Sequence, residues 1–321
     1  MEYSMETGRT LFSRFLHGEP MARPVFVPLI RGVLSRVAGL PFQELNSDPT
    51  LWTNALQKTT DLFDLDGVVV GFDFSLMAEA CGCGLAWQDD RPGSLRPAVE
   101  VCQTPVEHGR IKHSLEAAKR LFKVCQNKRA CLIALTGPVT LAAQVYGQEQ
   151  GAEPVPDLKQ LVVQVTEILC QIRPDAVLFM EKDPLALTEV NLSHRRIYNT
   201  LKNIAAHYTI PVGLYLEGYQ HRTVNQFAKL KMDYYVLGPA ADSGMPVFSE
   251  LLSLAECSLG VGIGLPLDDL EKTGEIIKQG AEHYRTGGGP GFFFTSHGPV
   301  TRDVDLDLLH QVTTEIRQIT L

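Results

Sequence analysis

The sequence predicts a (β/α)8 barrel, a single α/β domain over residues 1–321. Three observations carry that prediction. Eight short apolar runs rich in β-branched residues recur along the chain. Nearly every one is followed by a segment of helical periodicity. No glycine-rich phosphate loop follows the first run, as an open doubly wound sheet would prefer; GIG (262–264) is only a fragment of such a loop. Strand–helix alternation means parallel pairing with right-handed crossovers, and eight units in this length close most naturally into a barrel.

In order, residues 1–23 hold a helix, TLFSRFLHG, and a polar approach. RPVFVPLI (23–30) reads as the first strand and ends at Arg31. SDPTLWTNALQKTTDLF (47–63) is a helix, with Ser47 or Asp48 to cap it and Pro49 suited to its first turn. DGVVV (66–70) is the second strand, with the composition of a strand buried on both faces. From Trp87 to Thr104 the chain is polar and rich in Pro and Gly, an excursion with room for a small hairpin. SLEAAKRLFKVC (114–125) is helical, ACLIALT (130–136) is the third strand, and TGPVTLAAQVYG (136–147) turns tightly into a helix. DLKQLVVQVTEILCQI (157–172) is a long amphipathic helix before the fourth strand, DAVLFME (175–181). A helix at 194–208 precedes the fifth strand, IPVGLYLE (210–217). A helix at 223–230 precedes the sixth, DYYVLG (233–238), and a short helix, VFSELLSL (247–254), precedes the seventh, LGVGIG (259–264). A helix at 268–284 and a glycine turn, GGGPG (287–291), lead to the eighth strand, PGFFFTS (290–296), and a helix at 305–319 follows it.

Composition narrows the function classes. The 321 residues are 45% hydrophobic and 21% charged, which is ample material for a core. A formal charge of −8 and a pI near 5.6 argue against nucleic acid or an anionic membrane as partner. No apolar run is long enough to span a membrane and the N-terminal residues lack a signal-peptide pattern, so a cytoplasmic location is expected. Seven scattered cysteines do not make a disulfide framework.

Barrels of this kind carry their chemistry at the C-terminal ends of the strands. Those ends bring Arg31, Asp73, Thr136, Gly137, Glu181, Lys182, Tyr215, Glu217 and His297 to one rim. Asp73 stands between Phe72 and Phe74, and an acid between aromatic rings either caps a loop or does chemistry; the flanks favour chemistry. Glu181 and Lys182 read equally as a local ion pair or as site groups. His297 lies between Ser296 and Gly298, which leaves a ligand room to approach. Tyr215 alternates with Leu214 and Leu216, so packing inside the barrel competes with catalysis. Glu79, Cys81 and Cys83 follow Asp73 closely, as a metal-binding arm or as packed loop. Phe72, Phe74 and Phe294 offer an apolar lining for an aromatic ligand, with Arg31 and Lys182 as its polar contacts.

Several segments together resemble the uroporphyrinogen decarboxylase superfamily, which joins the haem-pathway decarboxylase to corrinoid-dependent methyltransferases. They are LFSRFLHGEPMARPVFVP, VVVGFDFSLMAEACGCG, TGPVTLAA, IPVGLYLEG and PGFFFTSHGPV. The resemblance covers nearly the whole chain and implies a (β/α)8 barrel, with Asp73 on the family's motif acid and His297-Gly298 on the decarboxylase's Gly-His-Gly.

The departures from the pattern weigh one branch against the other. The decarboxylase carries an arginine-rich motif after strand one; here PLIRGVLSR offers only Arg31 and Arg36, a thin match for a macrocycle with eight carboxylates. Gln144 stands where that branch has a tyrosine. The thiol-acting methyltransferases bind zinc through His-x-Cys at strand five and a later Cys, whereas strand five here offers Tyr215 and Glu217. The demethylases of methoxylated aromatics use other ligands, and by that resemblance Glu217 and His297, with Cys81, Cys83 or Cys102, can hold zinc. The favoured expectation is transfer of a methyl group from a small methoxylated aromatic donor to a corrinoid (cobalamin) protein. Asp73, His297 and Tyr215 are its expected catalytic residues, with a homodimer among the assemblies allowed. The alternative is cofactor-free decarboxylation of uroporphyrinogen III, with Asp73 stabilising a protonated pyrrole; a barrel that binds a tetrapyrrole without turnover is a third reading.

Overall fold

A computed structural model describes residues 6–88, 90–147, 155–182, 189–241, 254–286 and 291–319. Its centre is a curled sheet of seven parallel strands: β1 (Gly67–Val70), β4 (Ala130–Thr136), β5 (Ala176–Glu181), β6 (Val212–Leu216), β7 (Tyr234–Leu237), β8 (Gly260–Leu265) and β9 (Gly291–Ser296), paired in that order. β2 (Gly84–Gln88) and β3 (Arg91–Arg96) form a separate antiparallel hairpin within the predicted excursion. This is the predicted barrel-like α/β fold, with one difference at the first strand.

Residues 25–30 are extended but make only isolated bridges, Phe26 to Phe294 and Ile30 to Val300. They nevertheless occupy the eighth position. On the β9 side Val27 N donates to Phe294 O and Phe294 N donates to Val25 O, both at 2.9 Å. On the β1 side Asp66 N donates to Phe26 O and Phe26 N donates to the Asp66 carboxylate at 2.9 Å. Alternate residues of a strand turn their N–H to opposite neighbours, so residue 28 is in phase with Phe26 and should continue toward β1. Residue 28 is proline, which has no N–H to give. Side chains add to the backbone bonds on both sides: toward β1 Arg23 grips Asp66 through two bonds of 2.8 and 2.7 Å, and toward β9 Leu29 N donates to Ser296 Oγ at 2.9 Å.

Alternation along the strands builds two apolar layers. Val27, Leu29, Val69, Leu132, Leu178, Tyr215, Tyr234, Val236 and Phe293 face the interior. Helix α1 (Gly8–Leu16) packs on that interior layer, with Phe12 and Phe15 edge-on to Phe293. Val68, Ile133, Val177, Leu214, Ile263, Phe292 and Phe294 belong to the outer layer under the helices. α2 (Gly32–Ala38), α3 (Phe42–Leu45) and α5 (Ser75–Ala80) were not expected; each is short, with too few turns to declare a period. α4 (Pro49–Leu62) starts as expected, its Asp48 cap accepting from Thr50 N and Leu51 N.

α6 (Gly109–Cys125) begins five residues before the expected start, and α7 (Pro138–Tyr146), α8 (Lys159–Gln171) and α9 (Leu192–His207) match their predicted segments. The helix expected at 223–230 is a 3-10 segment, His221–Leu230. α10 (Leu270–Thr286) and α11 (Leu306–Gln318) complete the outer layer. Residues 247–253 of the short helix expected at 247–254, and residues 287–290 of the glycine turn expected at 287–291, lie outside the described residues. No helix among the described residues is long and apolar enough to cross a membrane.

Candidate active site

Parallel strands point all their C-terminal ends one way, so each residue following a strand lands on a single rim. Asp73 arrives there after β1 and is buried, 4% exposed. Its Oδ1 accepts from Ser75 N (2.9 Å) and Ser75 Oγ (2.8 Å), and its Oδ2 accepts from Arg110 at 2.5 Å. Arg110 also donates to Ser75 Oγ (2.7 Å) and to Glu79 (2.5 Å), and its guanidinium stacks 5.0 Å from the Trp87 ring of the hairpin. Both oxygens of Asp73 are thus committed to hydrogen-bond donors. Arg110 was missed, because nothing in its helix marks it apart from a surface arginine until the fold lays α6 beside α5.

The second group lies across the mouth. Glu217 pairs with Lys182 at 3.2 Å, and the Lys182 ammonium sits 5.6 Å from the Phe74 ring centre. The expected pairing of Lys182 with Glu181 does not form. Instead Glu181 turns into the wall, fully buried, and accepts from Val139 N (3.0 Å), Thr140 N (2.7 Å), the Thr140 hydroxyl and the Tyr198 hydroxyl. Burial pushes its carboxyl up despite these donors. It anchors the N-terminus of α7, where helix amides and dipole favour an acceptor. Gly137 is required beside it, since a Cβ there would lie 2.2 Å from Glu181 Oε1.

Tyr215 packs inside the barrel, as its alternation with Leu214 and Leu216 allowed, and its hydroxyl reaches the rim. Its ring fills the upper interior and its hydroxyl lies 3.4 Å from Glu217 Oε2 and 3.4 Å from the His297 carbonyl oxygen. Burial, reinforced by Glu217, raises its phenol well above the usual value, so it stays protonated. Gly238 leaves room for that hydroxyl: a Cβ would stand 2.3 Å from it. Arg31 is half-buried at the start of α2, where burial lowers its guanidinium and the charges of Asp73 and Glu217 oppose that. Phe72 belongs to the interior layer and Phe74, partly exposed, packs against it. Phe294 does not line the mouth: it lies in the outer layer against Phe292, because β9 alternates and Phe293 takes the inward position.

A cavity of about 580 Å³ opens at the ends of β8 and β9, lined by Leu265, Pro266, Ser296, His297 and Pro299 among others. A smaller one of about 210 Å³ lies beside Arg31. The expected zinc set does not fit. Among the described residues no three His, Cys, Asp or Glu side chains lie close enough to hold a metal ion. Cys81 and Cys83 pack in the outer core with Glu217 and His297 on the rim, and Cys83 points its thiol at the Gln144 carbonyl, 3.5 Å away. Burial pushes the Cys81 thiol up to about 12, away from the thiolate that zinc requires.

A parallel barrel with fixed charges, an aromatic wall and cavities at the strand C-termini defines an enzyme of the barrel class. A model of the uroporphyrinogen decarboxylase (URO-D) family matches residues 7–167, half of the chain, and the chain belongs to that family of enzymes. Among solved structures it is similar to a methyltransferase from Methanosarcina mazei, with 17% identity, a TM-score of 0.76 and coverage of 97% of this chain and 98% of that one. It is more distantly similar to a Streptomyces plicatus N-acetyl-β-hexosaminidase, with 9% identity, a TM-score of 0.51 and coverage of 92% and 63%. Both likenesses describe the fold. No curated protein matches the chain in sequence.

Proposed function

We propose that the protein removes a methyl group from a small methoxylated aromatic donor and passes it to the corrinoid of a separate protein. The observation that carries this reading is the placement of the two arginines after the first extended segment. Arg36 turns outward and donates to the Val304 carbonyl at 2.8 Å, which leaves Arg31 as the one arginine of PLIRGVLSR at the mouth. A macrocycle with eight carboxylates would find a single arginine there from the segment where the decarboxylase branch carries an arginine-rich motif. The full-length likeness to a methanogen methyltransferase supports the same choice.

In this reading the donor ring rests against Phe74 and Phe72. As the methyl–oxygen bond breaks, the methyl leaves toward the acceptor and the oxygen takes up negative charge. Lys182, held at 3.2 Å by Glu217, is the cation nearest the aromatic wall and donates the hydrogen bond or proton that oxygen needs. Tyr215 holds Glu217 on its other side, His297 borders the larger cavity, and Asp73 fixes Arg110 and faces Arg31. No step is assigned to zinc.

The second reading is decarboxylation of a pyrrole acetate, favoured by Asp73, a buried hydrogen-bond acceptor suited to a protonated pyrrole. One pair of assays separates the two. Purified protein is incubated with methoxybenzenes and reduced free cobalamin, and separately with uroporphyrinogen. Methylcobalamin formation is the expected result; its absence, with loss of carboxylates from uroporphyrinogen, would replace the first reading by the second.

A further inference from the structure

We infer that the protein holds its substrate by an oxyanion group, a carboxylate or a phosphate, in the small cavity between Arg31, Arg91 and Arg302. The cavity of about 210 Å³ gathers these arginines from three separate segments: the end of the first extended run, strand β3 and the loop after β9. Hairpin and loop are far apart in sequence, so no local motif explains the gathering.

The carboxylates in the same wall do not cancel them. Asp90 is committed to the backbone, accepting from Phe42 N (2.6 Å) and Gln43 N (3.0 Å) at the start of α3. Asp303 stands 3.9 Å from Arg91, with both side chains more than half exposed, a contact of little strength. Three cations thus face two carboxylates, one committed to backbone amides and one loosely held, in a chain whose formal charge is −8. Arg91 also adds to the burial that lowers the Arg31 guanidinium, so an anion between them would relieve both.

An independent observation comes from Ser35, which lines the cavity from α2. It is 1% exposed, and its hydroxyl has no hydrogen-bond partner among the described residues. A helical serine ordinarily turns back on the carbonyl four residues earlier, and a buried hydroxyl without a partner is costly. An oxyanion beside the guanidinium groups supplies the missing acceptor. Thr301 and Asp303 line both this cavity and the larger one beside His297, so an anchored anion puts the remainder of a small ligand across that loop. Only this last step rests on the methyl-transfer reading.

The test is calorimetric titration of the full chain, at low ionic strength, with benzoate and in a second arm with inorganic phosphate. One-to-one binding of at least one is expected. Arg302→Gln and Arg91→Gln should each weaken it about tenfold or more, and Ser35→Ala by a smaller factor. Arg302 is exposed, so its replacement leaves the fold intact. Benzoate binding alone assigns a carboxylate, phosphate binding alone a phosphate, and variant-sensitive binding of both a shared oxyanion site. Failure of both to bind, or binding that the variants leave unchanged, overturns the inference. Variant-sensitive binding in a protein that demethylates nothing would keep the subsite and remove the proposed reaction.

Discussion

Asp73 and Glu217 are both carboxylates at the mouth, but their surroundings give them different work. Asp73 is buried against Arg110, so Asp73→Asn leaves a guanidinium with only Glu79 to balance it. The expected cost is about 2–3 kcal/mol of stability together with loss of activity; thermal unfolding alongside turnover checks both, and an unchanged melting temperature would contradict the pairing. Glu217 holds an exposed lysine, so Glu217→Gln should leave stability unchanged and lower turnover about a hundredfold. Equal turnover in that variant would place the chemistry elsewhere. The sequence made the rim residues legible, because strand ends can be read from apolar runs. It did not disclose their partners. Lys182 next to Glu181 looked like a local pair, yet consecutive residues leaving a strand point to opposite sides, one into the wall and one over the mouth.

Helix termini decide two further outcomes. The start of α7 is built around Gly137, and Gly137→Ala drives a methyl group into Glu181, at a cost of about 3 kcal/mol read from denaturant unfolding. At the start of α9, Asn191 caps His194 N at 3.0 Å while the Asn191 N–H donates to His194 Nδ1 at 3.4 Å. That bond needs the neutral ring, and burial lowers the His194 pKa from its usual 6.5. The unfolded state therefore binds more protons, and this contribution to stability is present above pH 6.5 and lost as pH falls through the folded value. His194→Gln should flatten the decline of unfolding free energy below pH 6.5; an identical slope in the variant would exclude His194 as its source. The long periodic helices were legible in the sequence. α2, α3 and α5 were not, since segments of four to seven residues carry too little pattern to separate them from turns.

The barrel as a whole was legible from alternation alone, but its closure was not. An apolar run from 23 to 30 looked like an ordinary first strand, and the phase of Pro28 with Phe26 explains why residue 28 adds no backbone bond toward β1. Asp66 carries that seam, accepting from Phe26 N and from Arg23, with Arg317 of α11 at 3.4 Å. Asp66→Ala should cost about 3–5 kcal/mol and lower cooperativity; a melting curve matching the parent would show that the seam closes without it. The same seam imposes an order on biosynthesis. Val27 and Leu29 find their partners 268 and 267 residues downstream, in Thr295 and Ser296. As the chain leaves the ribosome, its first apolar stretch waits uncovered until Thr295 and Ser296 emerge, and loop closure over that span is slow. Slower translation should therefore lower the folded yield without changing the melting temperature of the finished barrel.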